Sequence, residues 1–356
     1  MNLICGLIGL PSAGKTVILN AITSIGASSY DGSRVNRAIV DVPDPRVDTL
    51  VAMYHPLKTR YANLEIVDIP GIAAEGNGRG SSQIGEIKDV EALVHVVRCF
   101  EDDNVPFLYE TVNPTRDIEE VELELMVADA ATLESKIQRL TKLVRSGDED
   151  AKRESEICQK VYDSIQSGIP ARKQGLNGRE VESIRECHLV SLKPMLYVAN
   201  IKSPDDAGNE HVLSLKKIAE NEGTELIYVS GQDEADISQL DPTEREEFRK
   251  ELGIQGSSME RLVRASYRKL GLISFFTTGE DEVRAWTCRT GDKAPTAAGK
   301  IHSDMEEGFI RMEVVCYDDL IELGSEVAVA KAGLERLEGS AYEVQDGDIV
   351  RVRFNK

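Results

Sequence analysis

The sequence predicts an α/β protein with a doubly wound, mostly parallel sheet, an inserted helical hairpin and a small C-terminal α+β domain. Three observations lead to this fold class. Strand patterns rich in Val and Ile alternate with helical patterns near the start of the chain, a long charged helical pattern interrupts them, and the alternation then resumes before a tail of short strand patterns. Strands separated by helices predict parallel pairing with helices on both faces of the sheet.

Five apolar strand patterns predict the parallel sheet. They cover residues 3–8, 64–69, 92–99, 195–200 and 226–230. Amphipathic helical patterns follow Lys15 and cover residues 82–90, 212–222, 243–252 and 258–270. The two periods alternate along the chain, as they do in doubly wound sheets.

The inserted hairpin is predicted from apolar residues that recur at spacings of four and three. They are Leu123, Val127, Ala130, Leu133, Ile137, Leu140 and Val144. A polar break at residues 146–150 precedes a second amphipathic run, which ends at residues 168–170. Two amphipathic helices joined in this way predict an antiparallel pair, and a short helix is expected at residues 178–188.

The tail after Gly271 has a different pattern. Short strand patterns cover residues 282–288, 309–315 and 349–354, and Asp346-Gly347-Asp348 marks a turn. Short strands with glycine turns predict a small, separate α+β domain.

The segment Gly9-Leu10-Pro11-Ser12-Ala13-Gly14-Lys15-Thr16 fits the pattern G-x-x-x-x-G-K-[ST] between a strand and a helix. In such a P-loop the backbone N–H groups curl around phosphate oxygens, the lysine reaches the β- and γ-phosphates, and the hydroxyl ligates Mg²⁺. The phosphate-binding residues expected here are Gly9, Pro11, Ser12, Ala13, Gly14, Lys15, Thr16 and Gly71.

The strand pattern at residues 64–69 ends in Asp68-Ile69-Pro70-Gly71, which is a D-x-x-G motif. An aspartate beside the P-loop can hold the water shell of Mg²⁺, so Thr16 and Asp68 are the expected metal-binding residues, Asp68 through water. Gly71 allows a backbone N–H to approach the γ-phosphate. Ile72 stands where a switch GTPase uses glutamine to orient water, and an aliphatic side chain cannot form that hydrogen bond.

The base-reading segment is expected after the strand pattern at residues 195–200, in Asn200-Ile201-Lys202-Ser203. Guanine-specific proteins carry N-K-x-D there, and the Asp accepts two hydrogen bonds from guanine. A serine hydroxyl both donates and accepts, so it discriminates poorly between purines and leaves ATP and GTP open as the ligand. The expected base-binding residues are Asn200, Ile201, Ser203, Ser230 and Gly231.

The composition limits the partners. The chain has 356 residues and a formal net charge of −20, which argues against binding nucleic acid or acidic membranes by overall charge. No DNA and no membrane are therefore expected, and an RNA contact needs a local basic patch, for which solvated helix faces are the alternative explanation. The candidates are Lys136, Arg139, Lys142, Arg145, Lys152, Arg153, Arg172, Lys173, Arg179 and Arg185.

The six cysteines contain no C-x-x-C pair. They are expected to be free thiols in a reducing cytosol, mostly buried. The sequence has no export signal and no long apolar stretch, so we expect a cytoplasmic protein.

Further motifs resemble the Obg-like ATPases of the YchF subgroup, which belong to the Obg type of P-loop GTPase-like proteins. The resemblance covers essentially the whole chain, and the tail resembles the TGS domain of that family, a β-grasp module. The segments that carry it are Val42-Pro43-Asp44-Pro45-Arg46, Ile66-Val67-Asp68-Ile69, His95-Val96-Val97-Arg98-Cys99-Phe100-Glu101, Tyr197-Val198-Ala199-Asn200, Glu234-Ala235-Asp236-Ile237, Val283-Arg284-Ala285-Trp286-Thr287 and Gly308-Phe309-Ile310-Arg311.

The resemblance implies a nucleotide-binding protein with Mg²⁺, a preference for ATP over GTP, slow hydrolysis and association with ribosomes. It implies contact with the ribosome or rRNA through the helical and TGS domains. The expected domains are a P-loop domain in two parts at residues 1–114 and 191–272, a helical insertion at residues 115–190 and a TGS-like domain at residues 273–356. Ile72 agrees with an aliphatic position of the family.

Four departures mark a divergent member. A threonine of the first switch aligns with Gly32, with Ser33 the nearest hydroxyl, and the family's fourth base-reading residue, a glutamate, is Ser203. A histidine implicated in hydrolysis aligns with Phe107, which cannot transfer a proton. The glycine-rich segment at residues 76–80 is also shorter than the family's usual form.

Two functions therefore remain open. The first is a slow NTPase switch that binds ATP or GTP with Mg²⁺ and signals to a ribosomal partner. The second is a nucleotide-binding module, or a purely protein- or RNA-binding one, in which hydrolysis has been lost. No catalytic side chain is assigned, because Ile72 and Phe107 both lack the chemistry.

Overall fold

The structure is a computed structural model, and it describes residues 3–31, 36–72, 80–251 and 257–355. The strands are β1 (Ile4–Ile8), β2 (Ala27–Asp31), β3 (Asn36–Asp41), β4 (Lys58–Arg60), β5 (Asn63–Asp68), β6 (Ala92–Arg98), β7 (Met195–Ile201), β8 (Leu226–Ser230), β9 (Leu272–Thr277), β10 (Glu282–Arg289), β11 (Phe309–Cys316), β12 (Arg336–Glu338) and β13 (Asp348–Phe354). The α-helices are α1 (Lys15–Gly26), α2 (Pro45–Tyr54), α3 (Gly80–Asp89), α4 (Pro114–Arg145), α5 (Glu149–Gln166), α6 (Gly178–Ser183), α7 (Glu210–Asn221), α8 (Gly231–Ser238), α9 (Pro242–Glu251), α10 (Ser258–Lys269), α11 (Ala294–Ile301), α12 (Ser303–Glu307), α13 (Tyr317–Leu323) and α14 (Glu326–Lys331).

The chain forms two compact units. The first contains Met1–Ile39 and Glu65–Leu262, and the second contains Val40–Leu64 and Val263–Lys356. Residues 40–64, expected in the first part of the P-loop domain, group instead with the tail. The physical reason is that β4 pairs in parallel with β10, so this segment supplies a strand to the C-terminal sheet.

The sheet of the first unit has seven strands in the order β2-β3-β5-β1-β6-β7-β8. The five from β5 to β8 pair in parallel, as the alternating patterns predict. Every residue of β6 and β7 is buried, because helices cover both faces of the sheet. The carboxyl ends of parallel strands meet at one edge, and the loops that follow β1, β5, β6, β7 and β8 therefore lie together there.

Helices α4 and α5 form the predicted hairpin. Asn113 caps α4, and Asp148 caps α5 by accepting from two backbone N–H groups, so the polar break is a helix start. The predicted apolar face is wrong at the start of α4: Leu123 and Val127 are 55% and 56% exposed. This half of α4 packs against the sheet through a different face, formed by Ile118, Val121 and Leu125.

The second half of α4 and helix α5 form a separate core. Leu133 and Leu140 pack there with Cys158, Val161 and Ile165, as the pattern predicts. The expected helix at residues 178–188 is shorter: α6 ends at Ser183, and a 3₁₀ turn follows it at Arg185–Cys187.

A charged network fastens the hairpin to the sheet. Arg172 forms a bidentate contact with Glu122 of α4 and lies 3.8 Å from Glu222, whose carboxylate accepts from the Tyr197 hydroxyl of β7 at 3.0 Å. The side chains of Arg172 and Glu122 are almost fully buried. Arg172 is thus a structural residue, and Lys173 pairs with Glu222 at 2.7 Å, so neither contributes to a free basic patch.

In the second unit, β9 to β13 and β4 form a six-stranded sheet in the order β12-β11-β13-β9-β10-β4. Helix α2 begins in the segment Val42-Pro43-Asp44-Pro45-Arg46, where Asp44 is the N-cap and Pro45 takes the first turn. The Arg46 guanidinium bonds Asp44 and also Asp346 at 2.9 Å, and it lies over the Phe276 ring. The motif therefore holds α2 against the predicted turn at Asp346.

All six cysteines are free, and five of them are buried, as expected from their spacing. Within the described ranges, no helix has the length and apolar character that crossing a membrane requires.

The carboxylate of Asp129 connects α4 to the segment before β7. It is 1% exposed and accepts from the backbone N–H groups of Val190 and Ser191, both at 2.8 Å. Burial raises the pKa of this carboxyl, and the three hydrogen bonds from Ser191 and Val190 oppose that shift. Asp129 thus satisfies two buried donors that have no strand partner at this position.

We predict that Asp129→Ala lowers the free energy of unfolding by about 2–4 kcal/mol, because it leaves two buried N–H groups without an acceptor. Urea unfolding followed by circular dichroism measures the change. Asp150→Ala is the matched control: its side chain is 95% exposed, and the expected loss is below about 0.5 kcal/mol. Equal losses in the two variants would contradict the role given to Asp129.

Candidate functional site

The P-loop joins β1 to α1 at the carboxyl edge of the parallel sheet. Gly14 has a φ of 101°, a conformation that disfavours any side chain, and an added Cβ would lie 2.1 Å from the Asn200 amide nitrogen. Ser12 also takes a positive φ, of 62°. The loop is therefore held in the curled form that turns backbone N–H groups toward an anion at the start of α1.

Lys15 lies folded back over the P-loop. Its ammonium donates to the carbonyl oxygens of Gly9 at 3.2 Å and Leu10 at 2.9 Å. Burial lowers its pKa to about 8, and the nearby charge of Asp68 partly opposes this shift. No carboxylate forms an ion pair with Lys15 among the residues that the structure describes. A buried cation in this condition favours an anionic ligand.

Thr16 and Asp68 meet beside Lys15. The Thr16 hydroxyl donates to Oδ2 of Asp68 at 2.5 Å. The other carboxylate oxygen, Oδ1, is shielded from solvent and has no hydrogen-bond partner within the described part of the chain. A hydroxyl next to an unsatisfied carboxylate oxygen is a donor set that suits Mg²⁺, a hard cation that prefers oxygen and retains several waters.

The D-x-x-G segment packs directly on the P-loop. An added Cβ on Gly71 would lie 2.6 Å from the backbone nitrogen of Pro11, so only glycine fits there. Ile72 is 3% exposed and belongs to the hydrophobic core, and its backbone N–H donates to the Gly9 carbonyl at 3.0 Å. Ile72 therefore anchors the segment but presents no polar group to a reacting water.

Asn200 ends β7 next to the P-loop. Its amide nitrogen donates to the Ala13 carbonyl at 2.9 Å, and its amide oxygen accepts from the Gly231 N–H at 3.2 Å. Both functions of the side chain are thus used to connect the P-loop with the start of α8. Asn200 lines the site, but its contacts with protein are structural.

A cavity of about 540 Å³ opens beside these residues. Of the residues predicted to bind phosphate, Ser12, Gly14, Lys15 and Thr16 line it, and of those predicted to bind the base, Asn200, Ile201 and Gly231 do. Seven further residues, which the sequence analysis did not assign to the site, complete the lining. They are Val17, Phe100, Asp102, Val105, Lys202, Gln232 and Asp233.

Ser203 and Ser230 are not among the described residues that line the cavity. The Ser203 hydroxyl lies 3.4 Å from the Asp206 carboxylate, and the Ser230 hydroxyl donates to the Lys202 carbonyl at 2.9 Å. Each hydroxyl supports a loop instead of facing the cavity. Their expected roles in reading the base remain predictions.

The residues missed in the sequence come mainly from the loop after β6 and from the start of α8. For the residues of the loop after β6, the sequence contained one indication: the segment from His95 to Glu101 is among those that carry the family resemblance, although no role was assigned to it. Lys202 and Asp102 form an ion pair of 3.3 Å at the cavity. Gln232 and Asp233 follow β8, and they line the cavity because β8 lies beside β7 in the sheet. No local sequence motif indicates this position.

The aromatic rings of Phe107 and His95 pack against other side chains of the protein. Phe107 packs against the hydrophobic core and contacts the Tyr109 ring edge to face. His95 is buried in β6, and burial lowers its pKa to about 3, so its ring is neutral at physiological pH. Its Nδ1 has no hydrogen-bond partner in the described ranges.

Three elements of the expected switches cannot be compared with the structure. Gly32, Ser33 and residues 76–79 lie outside the described residues. Among the residues that are described, no cluster of three or more His, Cys, Asp or Glu side chains could hold a metal ion. A Mg²⁺ ion at Thr16 and Asp68 therefore needs phosphate oxygens and waters to complete its coordination.

Two family models match this chain. The model of the YchF-GTPase C-terminal region, described as a protein of unknown function, matches residues 272–355. The model described as a 50S ribosome-binding GTPase matches residues 4–160. The first match covers strands β9 to β13 of the C-terminal sheet, and the second covers the P-loop, the D-x-x-G segment and α4.

Full-length relatives are similar to this chain along its whole length. The ribosome-binding ATPase YchF of Bacillus subtilis is 43% identical, with 100% of each chain covered, and that of Escherichia coli O157:H7 is 39% identical, again with 100% of each covered. The solved structure of the Schizosaccharomyces pombe YchF GTPase is 33% identical, covers 99% of this chain and 98% of its own, and has a TM-score of 0.89. On these matches and the P-loop geometry, the chain belongs to the YchF family of P-loop nucleotide-binding proteins.

Proposed function

We propose that this protein binds ATP or GTP together with Mg²⁺ and acts as a slow NTPase switch on the ribosome. The observation that carries the proposal is a cluster of three groups: the buried ammonium of Lys15, the Thr16 hydroxyl and the Asp68 carboxylate that Thr16 contacts. Lys15 and Thr16 line the cavity of about 540 Å³. These groups supply a cation for the phosphates and oxygen ligands for a metal.

The phosphates would occupy the P-loop side of the cavity. Lys15 would exchange its two backbone carbonyl partners for phosphate oxygens, which better satisfy a buried cation. Thr16 and Asp68 are the residues that would hold Mg²⁺, Asp68 through water. Mg²⁺ neutralises negative charge on the β- and γ-phosphates when it is bound.

The base would occupy the side formed by the ends of β7 and β8. Ile201 and Gly231 line this side, and Lys202, Gln232 and Asp233 provide polar groups there. Because Ser203 is turned to Asp206, we infer that base choice depends on these three side chains. The Bacillus subtilis and Escherichia coli relatives are called ATPases and the Schizosaccharomyces pombe relative is called a GTPase, so both nucleotides stay in the proposal.

Hydrolysis is proposed to be slow because the two positions at which a water-orienting or proton-transferring side chain is expected carry no polar group. Ile72 lacks polar atoms, and Phe107 replaces the histidine that the resemblance implies. This second observation favours an alternative, in which the protein binds the nucleotide and has lost hydrolysis. A turnover measurement separates the two.

The association with ribosomes is inferred from the two bacterial relatives, whose names describe ribosome-binding ATPases. We infer that the helical insertion at residues 115–190 and a TGS-like domain at residues 273–356 carry the contact with ribosome or rRNA in the cytoplasm. Several basic residues proposed for an RNA patch form ion pairs instead: Lys136 with Glu154 at 2.7 Å, for example. The patch would therefore rest on the exposed residues near the tip of the hairpin, such as Arg139, Lys142 and Arg145.

The first prediction concerns the P-loop. Wild-type protein should bind ATP or GTP more tightly with Mg²⁺ than without it, and Lys15→Ala should weaken that binding by about a hundredfold, because it removes the cation that faces the phosphates. Isothermal titration calorimetry measures both nucleotides.

Phosphate release is followed in the same samples over hours, with Lys15→Ala as the control. Release above that control supports the slow NTPase, and release equal to it supports the binding module. Nucleotide affinity that does not depend on Lys15 would contradict the proposed site altogether.

The second prediction concerns pH. Below about pH 8, Lys15 is charged in both the free and the bound protein, so affinity should not depend on its titration. Above pH 8 the free protein loses this proton, and a triphosphate restores it on binding. Affinity should therefore fall with rising pH, by up to about tenfold per unit.

Calorimetry in buffers of different ionisation enthalpy measures the proton uptake directly. With a pKa of about 8 in the free protein, the expected uptake is about 0.9 proton near pH 9 and about 0.1 proton near pH 7. Lys15→Arg is the control, because a guanidinium stays charged throughout. Uptake that is absent at high pH in the wild type would contradict the lowered pKa.

A further inference from the structure

Arg98 is a buried cation that the proposed function does not use. It is the last residue of β6, and it is 2% exposed. Its guanidinium donates to three backbone carbonyls of the loop that follows: Nε to Phe100 at 3.0 Å, Nη1 to Val105 at 3.1 Å and Nη2 to Asp102 at 3.1 Å. One side chain thus holds three points of a short loop.

Two aromatic rings complete the surroundings of this guanidinium. Its central carbon lies 4.6 Å from the centre of the Phe100 ring and 4.9 Å from that of Phe107. Both distances are within the range of cation–π attraction. Phe107 stands at the position where the resemblance implies a histidine, so in this chain that position supports Arg98.

Burying this charge is costly. Desolvation lowers the pKa of Arg98, and no carboxylate forms an ion pair with its guanidinium within the described ranges. A well-packed apolar residue is often as stabilising as a buried charged group. What an arginine adds at this position is a set of three hydrogen bonds that fix the shape of the loop after β6.

The loop held by Arg98 is a wall of the cavity. Phe100, Asp102 and Val105, whose carbonyls accept from Arg98, all line the cavity. The carboxylate of Asp102 also pairs with Lys202, which lies on the side where the base is expected. The loop therefore shapes the nucleoside side of the cavity, while Ser12 to Thr16 form the phosphate side.

We propose that Arg98 is a positioning residue for the nucleoside part of the ligand. It holds the segment from Phe100 to Val105 so that an aromatic and an aliphatic side chain form a wall for the base and ribose. This inference rests on the proposed function, because it requires a nucleoside triphosphate in the cavity. The triphosphate is bound by the P-loop independently of Arg98.

The test compares ATP with inorganic tripolyphosphate, which can fill the P-loop but has no nucleoside. Arg98→Met keeps an unbranched apolar stem and removes the hydrogen-bond donors. It should weaken ATP binding by about tenfold or more while changing tripolyphosphate binding by less than about twofold. Lys216→Met, on the exposed face of α7, is the matched control and should change neither affinity. Both ligands are titrated with Mg²⁺ present.

A second variant covers the case in which Arg98→Met does not fold. Arg98→Lys keeps the cation, but one ammonium cannot reach all three carbonyls, so ATP binding should weaken and tripolyphosphate binding should not. Hydrogen exchange of residues 99–107 should become faster in either variant, with exchange in the P-loop unchanged.

Equal weakening of ATP and tripolyphosphate would overturn the proposal, because it would show that Arg98 supports the unit as a whole. Unchanged ATP affinity would overturn it as well. If wild-type protein binds tripolyphosphate as tightly as ATP, the phosphate site stands and the nucleoside wall is refuted. If wild-type protein binds neither ligand, the proposed function fails, and this inference fails with it.

Discussion

The amide of Asn200 joins the P-loop to the start of α8, and the arrangement of the site depends on this connection. Its nitrogen bonds the Ala13 carbonyl and its oxygen accepts from the Gly231 N–H. The contact leaves no room for a side chain at Gly14, where a Cβ would lie 2.1 Å from the amide nitrogen. A P-loop sequence alone does not produce this geometry. It also needs β1 and β7 to flank β6 in a parallel sheet, so that their carboxyl ends meet at one edge.

The phosphate side of the site could be predicted from the sequence because its determinants are local. Lys15 and Thr16 belong to one contiguous motif, and Asp68 ends a strand whose apolar pattern is unambiguous. The base side could not be predicted in the same way. It is assembled from the ends of β6, β7 and β8, so Asp233 lines the cavity only because of the order of these strands in the sheet. Ser203 does not line the cavity, and it is bonded to Asp206 instead.

The same distinction applies to the fold. Strand and helix patterns locate the parallel sheet and the hairpin to within a few residues. The buried face at the start of α4 could not be predicted in this way, because it depends on which element packs against the helix, and the spacing of apolar residues does not show that. Strand β4 belongs to the C-terminal unit because it pairs with β10, a segment far away in sequence, and helix α2 belongs to the same part of the chain as β4. Arg98 and Phe107 show a further limit. At the position where the resemblance implies a histidine, Phe107 supplies a ring that lies beside the buried Arg98 guanidinium, a contact that the sequence does not reveal.

The most direct test of this account is a crystal structure of the protein with Mg²⁺ and a slowly hydrolysed ATP analogue. The account predicts that the Lys15 ammonium leaves the carbonyls of Gly9 and Leu10 for the phosphates, that the metal lies at Thr16 and Asp68, and that the nucleoside contacts Phe100 and Val105. A nucleotide bound elsewhere, or a Lys15 that keeps both carbonyl partners with the analogue present, would contradict it.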